Sequence, residues 1–416
     1  MTAIPGRRRR STRIASAAAA GAIVAAVGLA TLGGVTLYHS TEGADAASGV
    51  PELVFPATPI GALAAVDESG ALASVAVLVV QPSGAGGSVI TVPVSADASN
   101  GKGEERLPLA ETMALRGQES LHQELESLLA LGIDTVQVVD AARMTSLLEG
   151  IGPVEVELPT EVTRRGGEVV AEAGPTTLDA AGVAAILTAR DPDVPAVEQY
   201  PGATAVWSGI AAAMSDSADV VSASASASAS ADVSVEGLLA ALAGGPVGPR
   251  GLRAEPADTE LNPRGVDVSL LDQAEVALVF AQISPGKVAA PNPALTLRIE
   301  SPFSDEQLED TGLTNDEVAY GAISSLLFVG ANVLSVDTEQ GEVEEVTVIE
   351  IADETLADAT RGVDLLFGTI DVQVAETRIV GVDAVVRLGT EYLEFLTDAS
   401  ASPGDDVSDV AGAADD

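Results

Sequence analysis

Apolar positions along this chain alternate between short runs and helical stripes. Between residues 131 and 159, Val136, Val138 and Val139 form a short run that ends at Asp140. Met144, Leu147, Leu148 and Ile151 follow at i, i+3, i+4 and i+7, and Val154, Val156 and Leu158 then alternate with acids. The spacing predicts strand, helix, strand, a β-α-β unit, with Gly150 and Gly152 where a left-handed helix cap is needed. Upstream, 72–80 and 88–94 predict a hairpin around the Pro/Gly/Ser turn 82–87, and 118–131 a helix with Leu121, Leu125, Leu128 and Leu129 on one face. Downstream come a hairpin about 164–167 and a helix over 178–189. A further helix over 203–214 carries Val206, Trp207, Ile210 and Met214 in one stripe, and helical patterning resumes at 238–242 and 274–283.

A Pro/Gly/Asn-rich passage, 284–293, marks a boundary. Beyond it the pattern predicts strands at 295–300, 332–336, 346–351, 370–374 and 384–388, with helices at 314–328 and 354–367. Two α/β domains result, 52–290 and 294–396, the second of about 100 residues. The alternation Ser222 to Ala231 predicts a flexible loop, and the Asp/Ala/Ser-rich tail 397–416 a disordered end.

The N-terminus changes the compartment. Residues 1–13 are basic, and 14–37 carry no charge; at 1.5 Å per residue such a helix is about 36 Å long, enough for a hydrocarbon core of about 30 Å. The segment 14–38 is therefore expected to be a transmembrane helix, with its arginines inside, a tether at 39–51 and the bulk of the chain extracytoplasmic. A cleaved signal peptide is the rival, since Ala44-Asp45-Ala46 has the small-x-small form of a cleavage site.

Charge narrows the function classes. There are 20 Lys+Arg against 62 Asp+Glu, a net −42, and five of the arginines lie in the first thirteen residues, leaving 15 basic against 62 acidic. Such a surface repels phosphate backbones, which excludes nucleic-acid binding. The absence of cysteine excludes disulfides, thiolate metal sites and Cys nucleophiles, and two histidines, His39 and His122, exclude a His-rich metal site. No G-x-S-x-G elbow occurs. The acidic stretches 97–105 and 337–345 do not follow EF-hand spacing, and Glu339-Gln340-Gly341-Glu342 reads as a hairpin turn between strands.

The order and spacing of several short motifs resemble the LytR-CpsA-Psr family of cell-envelope proteins over 72–290. They are Leu131-Gly132-Ile133-Asp134, Val139-Asp140, Gly150-Ile151-Gly152-Pro153-Val154-Glu155-Val156, and Gly174 with Leu178-Asp179. Residues 294–396 resemble the LytR C-terminal domain. The resemblance implies an α/β/α sandwich with a hydrophobic pocket for a polyprenyl chain. It also implies Mg²⁺-dependent transfer of a phosphate-linked glycopolymer from a pyrophosphate lipid carrier onto peptidoglycan. Implied partners are a polyprenyl-phosphate lipid and other cell-wall assembly proteins.

Holding a pyrophosphate requires several arginines and a carboxylate-bound metal, and here the sequence departs from the family. Ala73 falls where the family has its metal-holding Asp, Thr91-Val92-Pro93-Val94-Ser95 keeps only the proline of the next motif, and Asp97 lies two residues late. Of the family's arginines Arg190 is retained, while the later two fall near Gln199 and Gly202. Arg190 is thus the retained candidate, with Arg164 and Arg165 at a predicted hairpin tip as further candidates and Asp97 as the candidate metal ligand. Arg106, Arg116 and Arg143 are other available cations. Because Asp191 and Asp193 follow it, Arg190 could serve a local salt bridge or a phosphate clamp. The reading is a non-catalytic envelope protein acting as lipid binder, scaffold or modulator. One alternative is an active Mg²⁺-dependent phosphotransferase in which Arg190, Asp97 and Arg164 or Arg165 converge; another is a structural envelope protein without ligand.

Overall fold

The computed structural model describes residues 51–99, 106–221, 233–258, 260, 262–309, 311–361 and 363–400. The basic segment, the expected membrane span, the Ser/Ala repeat and residues 401–416 lie outside them. Among the described residues no helix is long and apolar enough to cross a membrane. The described residues divide into two units, one of residues 56–289 and one of residues 290–400 together with 51–55.

The first unit is built on strands β1 (Ile60–Val66), β2 (Leu72–Val80), β3 (Gly87–Val92), β4 (Thr135–Val139) and β9 (Val247–Gly251). Their order is β9-β3-β2-β1-β4, antiparallel in the middle and parallel at both flanks. Side chains alternate across this sheet into two cores. Ile60, Val75, Val77, Val79 and Ile90 face one, which α1 (Leu109–Arg116), α2 (Gln118–Leu129) and α7 (Gln273–Ile283) cover. Leu63, Ala76, Leu78 and Val89 face the other, beneath α3 (Ala141–Leu148), α4 (Ala180–Leu187), α5 (Ala196–Val221) and α6 (Val235–Leu242). Helices on both faces explain why β2 reads as an unbroken apolar run. The expected hairpin forms, and its turn needs glycine: at Gly87 (φ +147°) a Cβ would sit 2.0 Å from the Val79 carbonyl oxygen.

The acids of the sequence motifs act as fasteners. Asp134 accepts the Ile60 N–H at 2.9 Å and pairs with Lys287, tying β4 to β1. Asp140 and Asp179 cap α3 and α4, accepting the N–H groups of Arg143 and Gly182 at 2.8 Å. His122 Nε2 bonds the Ile133 carbonyl at 2.9 Å.

The expected β-α-β unit is not a crossover within one sheet. β4 joins the five-stranded sheet, whereas β5 (Val154–Leu158) pairs antiparallel with β8 (Gly174–Leu178) in a separate ribbon. The alternation explains this: Val154, Val156 and Leu158 are buried while Glu155 and Glu157 are exposed, so only one face of β5 has a partner. Of the two glycines at the end of α3, only Gly152 is left-handed, at φ +85°. The hairpin of β6 (Val162–Arg164) and β7 (Glu168–Ala171) forms as expected. The helix expected over 203–214 is the middle of the 26-residue α5, which runs through Pro201; the proline removes one N–H near the helix start without stopping it. The short strands β10 (Ala254–Pro256) and β11 (Ser269–Leu271) form a second ribbon.

The second unit has a sheet of β12 (Thr296–Glu300), β13 (Asn332–Asp337), β14 (Thr347–Ile351), β15 (Ile370–Val374) and β16 (Ala384–Arg387), in the order β13-β12-β16-β14-β15. On one face Leu297, Ile299, Ile349 and Val386 are buried. On the other, Arg298 pairs with Glu300 and Asp337, and Arg387 with Glu300 and Glu350. The helices are α8 (Asp305–Glu309), α9 (Asn315–Phe328), α10 (Asp364–Phe367) and α11 (Thr390–Ser400). Thr314 and Glu317 form a capping box on α9.

Three expectations are corrected here. β13 and β14 are not neighbours, so 339–342 is no hairpin turn; the acidic stretch crosses two intervening strands. The helix expected at 354–367 breaks into a 3₁₀ turn, Glu354–Leu356, and the short α10. Asp353 accepts the Thr355 N–H and the Thr360 hydroxyl donates to the Ala357 carbonyl, side-chain bonds that compete with helical ones. The unpredicted α11 continues through Ser400, past residue 397 where the tail is expected to begin.

At Gly209 a Cβ would lie 2.6 Å from the Glu155 carbonyl oxygen and within 3.0 Å of Val154 and Val156. Gly209→Ala is expected to cost about 1–3 kcal/mol through overpacking. Gly150→Ala, where nothing lies within 4 Å and φ is unstrained, is expected to gain about 0.4–1 kcal/mol. Urea midpoints of the two variants check the pair.

Candidate functional site

Strands β2 and β3 are antiparallel, so the start of β2 and the end of β3 share one edge of the sheet, Val75 lying opposite Val92. A cavity of about 300 Å³ opens there, at the lower end of the range for small-molecule sites. Its walls are the first residues of β2, the end of β3, residues 160–163 that follow β5, the C-terminus of α4, and the first two turns of α5.

Each wall is held by its own bonds. Ser74 Oγ donates to the Leu187 carbonyl at 2.8 Å, fastening β2 to α4. Tyr200 OH donates to the Thr91 carbonyl at 2.9 Å, and Thr91 Oγ1 lies 3.1 Å from Thr204 Oγ1 and 3.3 Å from the Tyr200 hydroxyl. Burial pushes the Tyr200 phenol above its ordinary range, against the lowering effect of its bonds to Thr91 and Thr204. Gln199 folds the stretch before α5 back on itself: its Oε1 accepts the Asp191 N–H, and its Nε2 donates to the carbonyls of Asp191 and Val194.

Three lining residues carry charge, namely Arg190, Glu161 and Glu198. Arg190 Nη1 donates to the Leu72 carbonyl at 3.3 Å. The local salt bridge considered for it does not form: the Asp191 carboxylate accepts the Asp193 N–H, and among the described residues no carboxylate pairs with Arg190.

The cavity gathers several positions that the sequence resemblance assigns to phosphate and metal binding, namely Ala73, the 91–94 segment, Arg190 and Gln199. The other candidates lie elsewhere. Arg164 pairs with Glu168 at 2.7 Å and Glu68 at 3.3 Å, raising its own pKa and lowering that of Glu168 through their hydrogen bond and charge. Arg165 is exposed on the same hairpin. Asp97 is buried against Arg106; burial alone would raise its pKa, but bonds from Ser99 and Arg106 outweigh that and hold it low. Of these four candidates only Arg190 lines the cavity.

The positions that the sequence resemblance assigns to the metal do not fit magnesium: Ala73 offers no oxygen and Asp97 is committed to Arg106. The carboxylates that line the cavity are instead Glu161 and Glu198. Among the described residues no group of three or more His, Asp or Glu is placed to hold a metal. Two features of the site escape the sequence reading: the Thr91, Tyr200 and Thr204 hydroxyl cluster and the acids Glu161 and Glu198. The i, i+4 spacing of Tyr200 and Thr204 is the only signal of the first.

No family model matches the chain, and no curated protein does. Solved structures do match. Bacillus subtilis TagV is 16% identical over 53% of this chain and 94% of that one, with a TM-score of 0.39. A LytR-CPS2A-psr family protein, YwtF (TagT), solved with bound octaprenyl pyrophosphate lipid, is 16% identical over 53% of this chain and 85% of that one, at 0.35. A transcriptional regulator from Enterococcus faecalis is 16% identical over 54% and 85%, at 0.37. These are likenesses to other proteins, and at such scores they carry no argument about the chemistry of this site.

Two outcomes are expected. Arg106→Ala leaves the Asp97 carboxylate, 6% accessible, without its cation, and should cost about 3 kcal/mol at neutral pH by chemical denaturation, with no recovery on adding Mg²⁺. Because the folded pKa of Asp97 is lowered, its contribution is present above the unfolded value of about 3.9 and is lost as pH falls through the folded one. The variant's deficit should therefore shrink in acid. Tyr200→Phe removes the half-buried hydrogen bond to the Thr91 carbonyl, an expected loss of about 1 kcal/mol. Since the Tyr200 pKa is raised, the wild-type stabilisation from its neutral phenol is present below about pH 10 and fades as pH rises through the folded value.

Proposed function

We propose that residues 56–289 form a non-catalytic domain of the LytR-CpsA-Psr type that holds an apolar isoprenoid chain. In this reading segment 14–38 anchors it in the membrane with the bulk of the chain outside. The second unit, of LytR C-terminal type, serves as a binding module, and the protein acts in cell-wall glycopolymer assembly as lipid binder, scaffold or modulator.

The observation that carries this reading is the lining of the cavity. Val75, Val92, Val94, Ile186 and Leu187 supply apolar wall, and neutral Ala73 and Gln199 stand where phosphoryl transfer would need charge. Losing one preorganised electrostatic group typically costs about 2.7–4 kcal/mol of transition-state stabilisation. Such losses are not additive within one site, yet one arginine where several would clamp a pyrophosphate supports a binding role over transfer.

Mass spectrometry of organic extracts from the purified full-length protein is expected to find an isoprenoid lipid, and Ala203→Phe, which fills the cavity from α5, to lose it. Incubation with Mg²⁺ and a polyprenyl pyrophosphate is expected to release no phosphate. Mg²⁺-dependent turnover that disappears in Arg190→Ala would reverse the non-catalytic reading.

A further inference from the structure

The charges on this cavity carry a statement about the head group of whatever it holds. Arg190 is its one lining cation and has already given an N–H to the Leu72 carbonyl. Glu161 and Glu198, both exposed, are its two lining carboxylates, so the lining sums to one negative charge. A space of this volume is about 7–8 Å across, comparable to the Debye length of about 8 Å at physiological salt. The three lining charges therefore act on a head group held among them without full screening.

The remaining polar groups are neutral. Gln199 has committed its side-chain amide to the 191–194 backbone, and Ser74, Thr91 and Tyr200 are bonded to the protein. The Thr160 and Thr163 hydroxyls also line the cavity and have no protein partner among the described residues. That set suits a small neutral group that both donates and accepts: it can donate to Glu161 or Glu198 and accept from Arg190, Thr160 or Thr163. A pyrophosphate meets one cation, two repelling carboxylates and a chain of net charge −42.

Resting on the proposed lipid-binding role, we propose that the cavity selects an isoprenoid with an uncharged hydroxyl head over the same chain bearing a pyrophosphate. The polarity of this choice is set by Glu161 and Glu198 acting against Arg190.

The test is a titration of delipidated full-length protein in neutral detergent with three probes sharing one tail: geranylgeraniol, its monophosphate and its pyrophosphate. Ala203→Phe serves as the blank for micelle partitioning. The alcohol is expected to bind at least about tenfold more tightly than the pyrophosphate, a difference of about 1.4 kcal/mol, with the monophosphate between them. The double variant E161Q/E198Q, altered only at exposed side chains, is expected to bind the pyrophosphate several-fold more tightly and so to narrow the ratio between alcohol and pyrophosphate; raising the salt should narrow the preference in the same direction. Pyrophosphate binding equal to or tighter than alcohol binding in the wild type overturns this inference and leaves the lipid-binding role standing. An unchanged ratio in the double variant removes the two glutamates as its cause. If no probe binds above the Ala203→Phe blank, the lipid-binding role fails and the selectivity with it.

Discussion

The five-stranded sheet of the first unit is buried on both faces, and that constraint shapes the rest of the unit. Val75, Val77 and Val79 point into one core, Ala76, Leu78 and Val80 into the other. No position in the middle of β2 can hold a charge without burying it, at a cost of several kcal/mol per ion. Polar chemistry is pushed to the strand ends, where β2 begins, β3 finishes and the cavity opens. Even there the walls close with neutral bonds, Ser74 to Leu187 and Tyr200 to Thr91, so the site inherits the apolar character of the sheet.

The acids that make this sequence resemble an envelope family are structural parts. Asp134 ties β4 to β1, and Asp140 and Asp179 each cap a helix. Their positions follow from geometry: a cap must sit one residue before its helix, and a strand tie must meet the neighbouring strand's first N–H. None of them lines the cavity. Motifs of this kind speak for an arrangement of strands and helices and leave the reaction open.

Local patterns were legible where one physical signal dominated. The run in β2, the leucines of α2, the hairpin around Gly87 and the helix α9 all follow from period or propensity. Other elements depended on partners distant in sequence. Val154, Val156 and Leu158 mark a strand with one buried face, but nothing in them names β8 as its neighbour instead of β4. The expected helix 203–214 misses the first turns of α5, which continues through Pro201 and is buried along Val206, Ile210 and Met214. The break in 354–367 comes from Asp353 and Thr360 bonding the backbone locally. The cavity was legible only in part: Arg190 and Ala73 could be located along the chain, whereas Glu161, Glu198 and the hydroxyl cluster meet only through tertiary structure.

Gly209, which the site never touches, acts on it as a mechanical notch. The Glu155 carbonyl sits where a Cβ at this position of α5 would be, so helix and ribbon meet here at a distance that only glycine allows. A side chain at this point would push the two apart. The ribbon leads straight into residues 160–163, one wall of the cavity, and α5 begins at the facing wall. The gauge of the opening is thus set from a distance, by the absence of a single methyl group.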